Sequence, residues 1–190
     1  MLLELILAAA LSQPKAVMTM PVYDTSGSFS RAAQSKLISQ IESHYLTHMA
    51  EVGTEDELYR TPVAGAKLLV IGGHGTPTSI ALGGPDDPCG VDCDEKRYID
   101  RSDVEELRSF FNQLAPDATI LLNSCSTAWN GEENNIAAVI KRAAGDRQVI
   151  AAGDWVPADW VRITSYEPFD AVIYTWDLIG KTPRDVTVRY

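Results

Sequence analysis

Hydrophobic positions along the chain follow two alternating patterns. Short continuous apolar runs give way to stretches in which apolar residues recur three or four positions apart. The first pattern suits strands buried on both faces, and the second suits amphipathic helices. The continuous runs are Ala16 to Tyr23, Lys67 to Ile71, Thr119 to Leu122 and Gln148 to Ala152. Helical spacing links Leu37, Ile38, Ile41, Tyr45 and Met49, which predicts a helix from Ser30, its N-cap, to about Ala50. Ser102 and Glu105 form a capping-box pattern for a helix through about Leu114. A third helix is marked by Ile136, Ala137, Val139, Ile140 and Ala143 and stops at Gly145. Asp24 to Ser28 carries turn residues, and residues 76–100 are predicted as a long loop or small hairpin. Ala171 to Trp176 and Asp185 to Tyr190 are strand-like.

Strands that alternate with helices predict an α/β fold, a three-layer sandwich with a mainly parallel central sheet of five or six strands. Helices are expected on both faces, with right-handed crossovers. No repeat, low-complexity segment or linker divides the 190 residues, so a single domain is expected. The apolar first 15 residues are too short to span a bilayer. They lack Lys or Arg before the apolar run and contain Glu4, which favours a buried helix ended near Pro14 over a secretory signal.

Composition narrows the function classes. At 45% hydrophobic, 22% charged and 8% aromatic, the chain is neither collagen-like, disordered nor a coiled coil. Sixteen basic against 26 acidic residues give a formal charge of −10, which argues against nucleic-acid and membrane partners. The three cysteines, Cys89, Cys93 and Cys125, are too few and odd in number for a secreted disulfide framework. A reducing, cytoplasmic setting is expected.

The chemistry lies where the buried runs stop. Three of them end in Gly72-Gly73-His74-Gly75, Asn123-Ser124-Cys125-Ser126 and Gly153-Asp154-Trp155. Ligands of open α/β sheets bind outside the carboxyl ends of the strands. If the first two strands are neighbours, about 5 Å apart, His74 and Cys125 can meet. Cysteine with histidine makes a nucleophile and a proton carrier for attack on a carbonyl carbon. Glycines 73 and 75 allow close backbone approach, and the Gly75 and Cys125 amides can together bind an oxyanion.

Val70-Ile71-Gly72-Gly73-His74-Gly75 resembles the strand plus His-Gly motif of caspase-like (clan CD) cysteine peptidases. Ile120 to Ala128 resembles the second motif of that clan, a strand ending in the nucleophile. Gly131-Glu132-Glu133, the Ala-rich helix and Val149 to Pro157 are similar to the segment after the cysteine in CHAT domains, and Tyr23 to Phe29 echoes the turn after the clan's first strand. The resemblance covers residues 16–160. It implies a caspase-like fold and a cysteine endopeptidase, with His74 and Cys125 as the catalytic dyad, a polypeptide substrate and no required cofactor. By the same resemblance, Asp24 and Asp154 are candidate substrate-binding residues selecting a basic P1 side chain. Asn123-Ser124 before the cysteine departs from the clan pattern, and no internal processing site is evident, so an activating partner is left open. The rival readings are a non-proteolytic binding or regulatory module of the same fold, and a cysteine acyltransferase or amidohydrolase.

Other signals have plainer readings. His44 and His48 stand four apart on the predicted helix without a third ligand, which reads as a polar face. Cys89 and Cys93 lack further zinc ligands. Asp86, Asp87, Asp92, Asp94 and Glu95 could bind calcium but lack EF-hand spacing, so a solvated loop is expected. Trp129, Trp155, Trp160 and Trp176 are expected in the core or lining a cleft. No Walker A loop, G-x-G-x-x-G or G-x-S-x-G motif is present.

Overall fold

A computed structural model describes residues 13–22, 24–83, 95–131, 133–157, 160–176 and 182–190. The first apolar run forms β1 (Lys15–Pro21), followed by the turns that lead into α1 (Ser35–Glu42). Next come β2 (Leu46–Val52), α2 (Glu55–Arg60), β3 (Leu68–Gly72) and β4 (His74–Gly75). They are followed by β5 (Ile80–Ala81), β6 (Tyr98–Ile99) and α3 (Val104–Phe111). The remainder is β7 (Thr119–Asn123), α4 (Ile136–Ala144), β8 (Gln148–Ala152), β9 (Val161–Tyr166), β10 (Phe169–Trp176), β11 (Pro183–Asp185) and β12 (Thr187–Arg189).

The central sheet has six strands in the order β12-β8-β7-β3-β1-β2. All neighbours run parallel except the edge strand β12, which is antiparallel to β8. The fold is therefore mixed α/β with a mainly parallel sheet, as the alternation of patterns predicts. Every residue of β3 and β7 is buried. Successive side chains of these strands serve opposite cores. Leu69, Ile71, Ile120 and Leu122 pack with Phe110, Phe111 and Ile140 on the α3–α4 side. Leu68, Val70 and Leu121 pack on the other side with Leu37, Ile41 and Phe169.

That second face differs from the expected layer of helices. It is covered by α1 and by the three-stranded sheet β11-β10-β9. The alternating burial of β9 and β10 explains the choice: Val161, Ile163, Ala171 and Ile173 turn inward while the residues between them are less buried. Strand β9 was not expected from the sequence, nor was α2, although Thr54 caps α2 by accepting from the Glu57 N–H.

Two further expectations need correction. The helix predicted to Ala50 stops at Glu42, and Leu46 to Val52 instead pair with Lys15 to Pro21 at the sheet edge. Seven ladder positions outweigh a helical spacing that Tyr45 and Met49 merely continue. His48 therefore lies on a strand and shares no helix face with His44. His44 stacks on Tyr166 at a ring distance of 3.5 Å. The capping box also sits earlier than predicted: Asp103 accepts from the Asp100 N–H and Asp100 from the Ser102 N–H, one turn before α3.

Helix α4 matches its prediction, with the Asn135 side chain accepting from the Ala138 N–H and Gly145, at φ 67°, ending it. The C-terminal segment links the two sheets. β12 pairs with β8 and β11 with β10, while the Val186 carbonyl accepts from Gly153 and the Val186 N–H donates to Ile173. Cys89, Cys93, the acidic residues 86–94 and the first 12 residues lie outside the described residues. Among the described residues, no helix is long and apolar enough to cross a membrane.

Candidate active site

Strands β3 and β7 are neighbours, with Gly72 opposite Asn123. Their carboxyl ends therefore deliver His74 and Cys125 to one edge of the sheet. Both side chains line one cavity of about 150 Å³, together with Phe29, Trp155, Val156 and Ile173. At β4 the chain leaves the central sheet and pairs with β5. Gly75 then passes so close to the turn at Cys125 that an added Cβ would lie 2.1 Å from the Cys125 carbonyl oxygen and 2.9 Å from its nitrogen. Among the described residues, no acceptor takes the Cys125 amide N–H.

The turn after Cys125 is unusually tight. Ser126 has φ 54°, a left-handed conformation that non-glycine residues rarely adopt. It is held by the end of β8, since the Ser126 N–H donates to the Asp154 carbonyl and the Ala128 N–H to the Ala152 carbonyl, both at 2.8 Å. The hydroxyls of Ser124 and Thr127, on either side of the turn, are buried without partners among the described residues.

The Cys125 thiol donates to the Val156 carbonyl at 3.2 Å and accepts from the Val156 N–H at 3.4 Å. Burial pushes its pKa up, the Val156 contact opposes this, and the charge of Asp154 raises it further. The resting group is thus a protonated thiol at neutral pH.

His74 is half exposed (51%), and its partner Asp24 is nearly buried (6%). The His74 Nε2 lies 3.0 Å from Asp24 Oδ1, and Phe29 meets the ring edge-on at 5.2 Å. Asp24 in turn accepts from the Ser26 N–H and hydroxyl and from the Phe29 N–H at 2.6 Å. Burial alone would raise the Asp24 pKa. The bonds from Ser26, Phe29 and His74 outweigh it, and the carboxyl stays below its ordinary value.

Neither acidic candidate stands in the cavity wall. Asp24 does not line the cavity; it is turned onto His74 and fixes the ring, leaving Nδ1 as the nitrogen available to exchange a proton. Asp154 does not line the cavity either. Its carboxylate accepts from the Trp155 N–H at 2.7 Å and from the Arg184 guanidinium. Among the described residues, no carboxylate lines the cavity. The turn at residues 24–28 was legible in the sequence, but its arrival at His74 depends on a long-range contact. Val156 and Phe29 fall in segments of the resemblance, but nothing in the sequence marked their side chains as cavity lining. Trp155 is 58% exposed at the cavity mouth, and Trp129 and Trp176 are also exposed. Among the described residues, no three His, Cys, Asp or Glu side chains converge as metal ligands.

A pH measurement tests this electrostatic arrangement. Asp154→Asn removes one influence that holds the thiol protonated, so the midpoint of Cys125 alkylation by iodoacetamide should move to lower pH. The rate at pH 8, followed by peptide mapping, should rise. An unmoved midpoint would separate Asp154 from the thiol. No family model matches the chain, and no curated protein matches it.

Proposed function

We propose that the chain is a caspase-like cysteine endopeptidase that cleaves peptide bonds through a thioester. The observation that carries this reading is the convergence of an oriented His74 and the Cys125 thiol on one cavity at the carboxyl edge of a mainly parallel sheet. Because the thiol is protonated at rest, His74 Nδ1 takes its proton as Sγ attacks the substrate carbonyl carbon. The Cys125 and Gly75 amides receive the resulting oxyanion. The C–N bond then breaks, and His74 returns the proton to the leaving amine. Water, giving a proton to His74, attacks the thioester. Sγ leaves and regains that proton.

The cavity size favours a polypeptide over a small free amide. A ligand pocket usually encloses about 300–1,000 Å³. At about 150 Å³ this one holds a single side chain, so the rest of the substrate lies across the surface. Asp24 and Asp154 are engaged by His74 and Arg184, which weighs against a basic P1 preference. An uncharged P1 side chain suits the wall.

The test is cleavage of a denatured protein mixture with sequencing of the new termini. The intact chain should generate peptides, and Cys125→Ala should lower the rate by about a thousandfold or more. Turnover unaffected by Cys125→Ala would overturn the reading. Ammonia release from short amides without protein cleavage would favour the amidohydrolase, and the absence of both the binding module.

A further inference from the structure

A second groove adjoins the candidate active site. Val161 lines both cavities, so the groove is continuous with the wall that holds Cys125. It encloses about 690 Å³ and is lined by Lys36, Gln40, Trp160, Arg162, Tyr174 and Pro183 besides Val161. The volume is in the range of a true ligand pocket.

Its construction is specific. Gln40 on α1 clamps the open edge of β9, accepting from the Ile163 N–H at 3.0 Å and donating to the Val161 carbonyl at 3.4 Å. This joins α1 to β9 and sets Lys36 and Arg162 on the two walls. Trp160 is tilted against Trp176 with ring centres 4.4 Å apart, and the Trp160 carbonyl accepts from the Tyr174 N–H at 3.0 Å. The floor is therefore aromatic and tied to the sheet.

Charge selects the occupant. The chain carries a net charge of −10, and several of its cations are neutralised by carboxylates. Lys67, Lys96, Arg108, Arg184 and Arg189 all pair with carboxylates. Lys36 and Arg162 are exposed and have no ion-pair partner among the described residues. Two unpaired cations over an aromatic floor fit a carboxylate whose methylene stem packs on the rings.

We propose that this groove is an extended subsite for acidic residues of the polypeptide substrate, near the bond that Cys125 attacks. The inference rests on the endopeptidase reading for its position beside the scissile bond, but the binding itself needs no catalysis.

Fluorescein-labelled nonapeptides of alternating Ser and Ala, with an Asp-Asp or a Lys-Lys pair at each successive position, test it. They are titrated by fluorescence anisotropy against the full chain carrying Cys125→Ala. At one position the Asp-Asp peptide should bind about tenfold more tightly than its Lys-Lys counterpart, the yield of two exposed ion pairs. Lys36→Glu with Arg162→Glu should invert the order, and Lys36→Gln with Arg162→Gln should level it. No preference at any position, or a preference that survives both double variants, would overturn the subsite. Incubating the best-binding peptide with the intact chain separates the two readings. Acid-dependent binding without cleavage retains the subsite and removes the peptidase. Cleavage indifferent to the acidic pair retains the peptidase and removes the subsite.

Discussion

Alanine at position 75 is expected to lower the melting temperature by about 6–12 °C, the equivalent of about 3 kcal/mol of overpacking in a domain of this size. The reason is space, since Gly75 is not one of the glycines with positive φ. A Cβ would stand 2.1 Å from the Cys125 carbonyl oxygen and 2.9 Å from both the Cys125 nitrogen and Thr127 Cγ2. Two of those three atoms are backbone, so no rotamer change relieves the clash. The Cys125 turn cannot yield easily either, because hydrogen bonds from Ser126 and Ala128 tie it to Asp154 and Ala152. Either β4 moves away from the Cys125 turn or the turn itself is displaced. Thermal unfolding with Cys125 alkylation on the same sample distinguishes strain from harmless accommodation. A melting temperature within about 1 °C of the parent would show that the two backbones are less tightly apposed.

Asp24→Asn is expected to reduce kcat/KM on a cleavable peptide by about a hundredfold, mostly in kcat. The carboxylate touches the imidazole, so it acts by holding the ring through Nε2. An asparagine amide can fill the same space while presenting a donor to Nε2, which favours the wrong tautomer. Asp24→Glu keeps the charge and should recover part of kcat. The sign of the acid effect follows from the lowered pKa of Asp24. A carboxyl lowered on folding contributes stability above its unfolded value of 3.8, and that stability is lost as pH falls through the folded value. The parent should therefore be more stable than Asp24→Asn at pH 7, with the gap closing toward pH 3. A gap that persists in acid would assign the difference to packing, and an unchanged kcat would remove Asp24 from the positioning of His74.

The sheet was largely legible because its strands are buried on both faces, which leaves Lys67–Ile71, Thr119–Leu122 and Gln148–Ala152 as unbroken apolar runs. That His74 and Cys125 line one cavity followed from that, since neighbouring parallel strands share their carboxyl edge. The edge strand β2 was misread because its mixed burial mimics a helix period in which Tyr45 and Met49 happen to fall. The partners of Asp24 and Asp154 were not legible. Which cation reaches Asp154 depends on Arg184, and which imidazole reaches Asp24 depends on the turn that closes at Phe29. These are contacts between distant segments, and local pattern carries no trace of them.

The C-terminal pairing has a consequence for synthesis on the ribosome. Chains emerge from the amino end, and domains generally fold as units as they do so. The strand bearing Cys125 and its neighbour β3 belong to the first two-thirds of the chain, whereas Arg184, Val186 and β12 are translated after every other described residue of the site. A nascent chain that has reached β10 holds β7 with β8 as an open edge, and open edges recruit other strands. Pausing before residue 183 would therefore lengthen the interval in which two unfinished copies can pair through β8. Synthesis of residues 183–190 closes that edge and engages Asp154 in the same event.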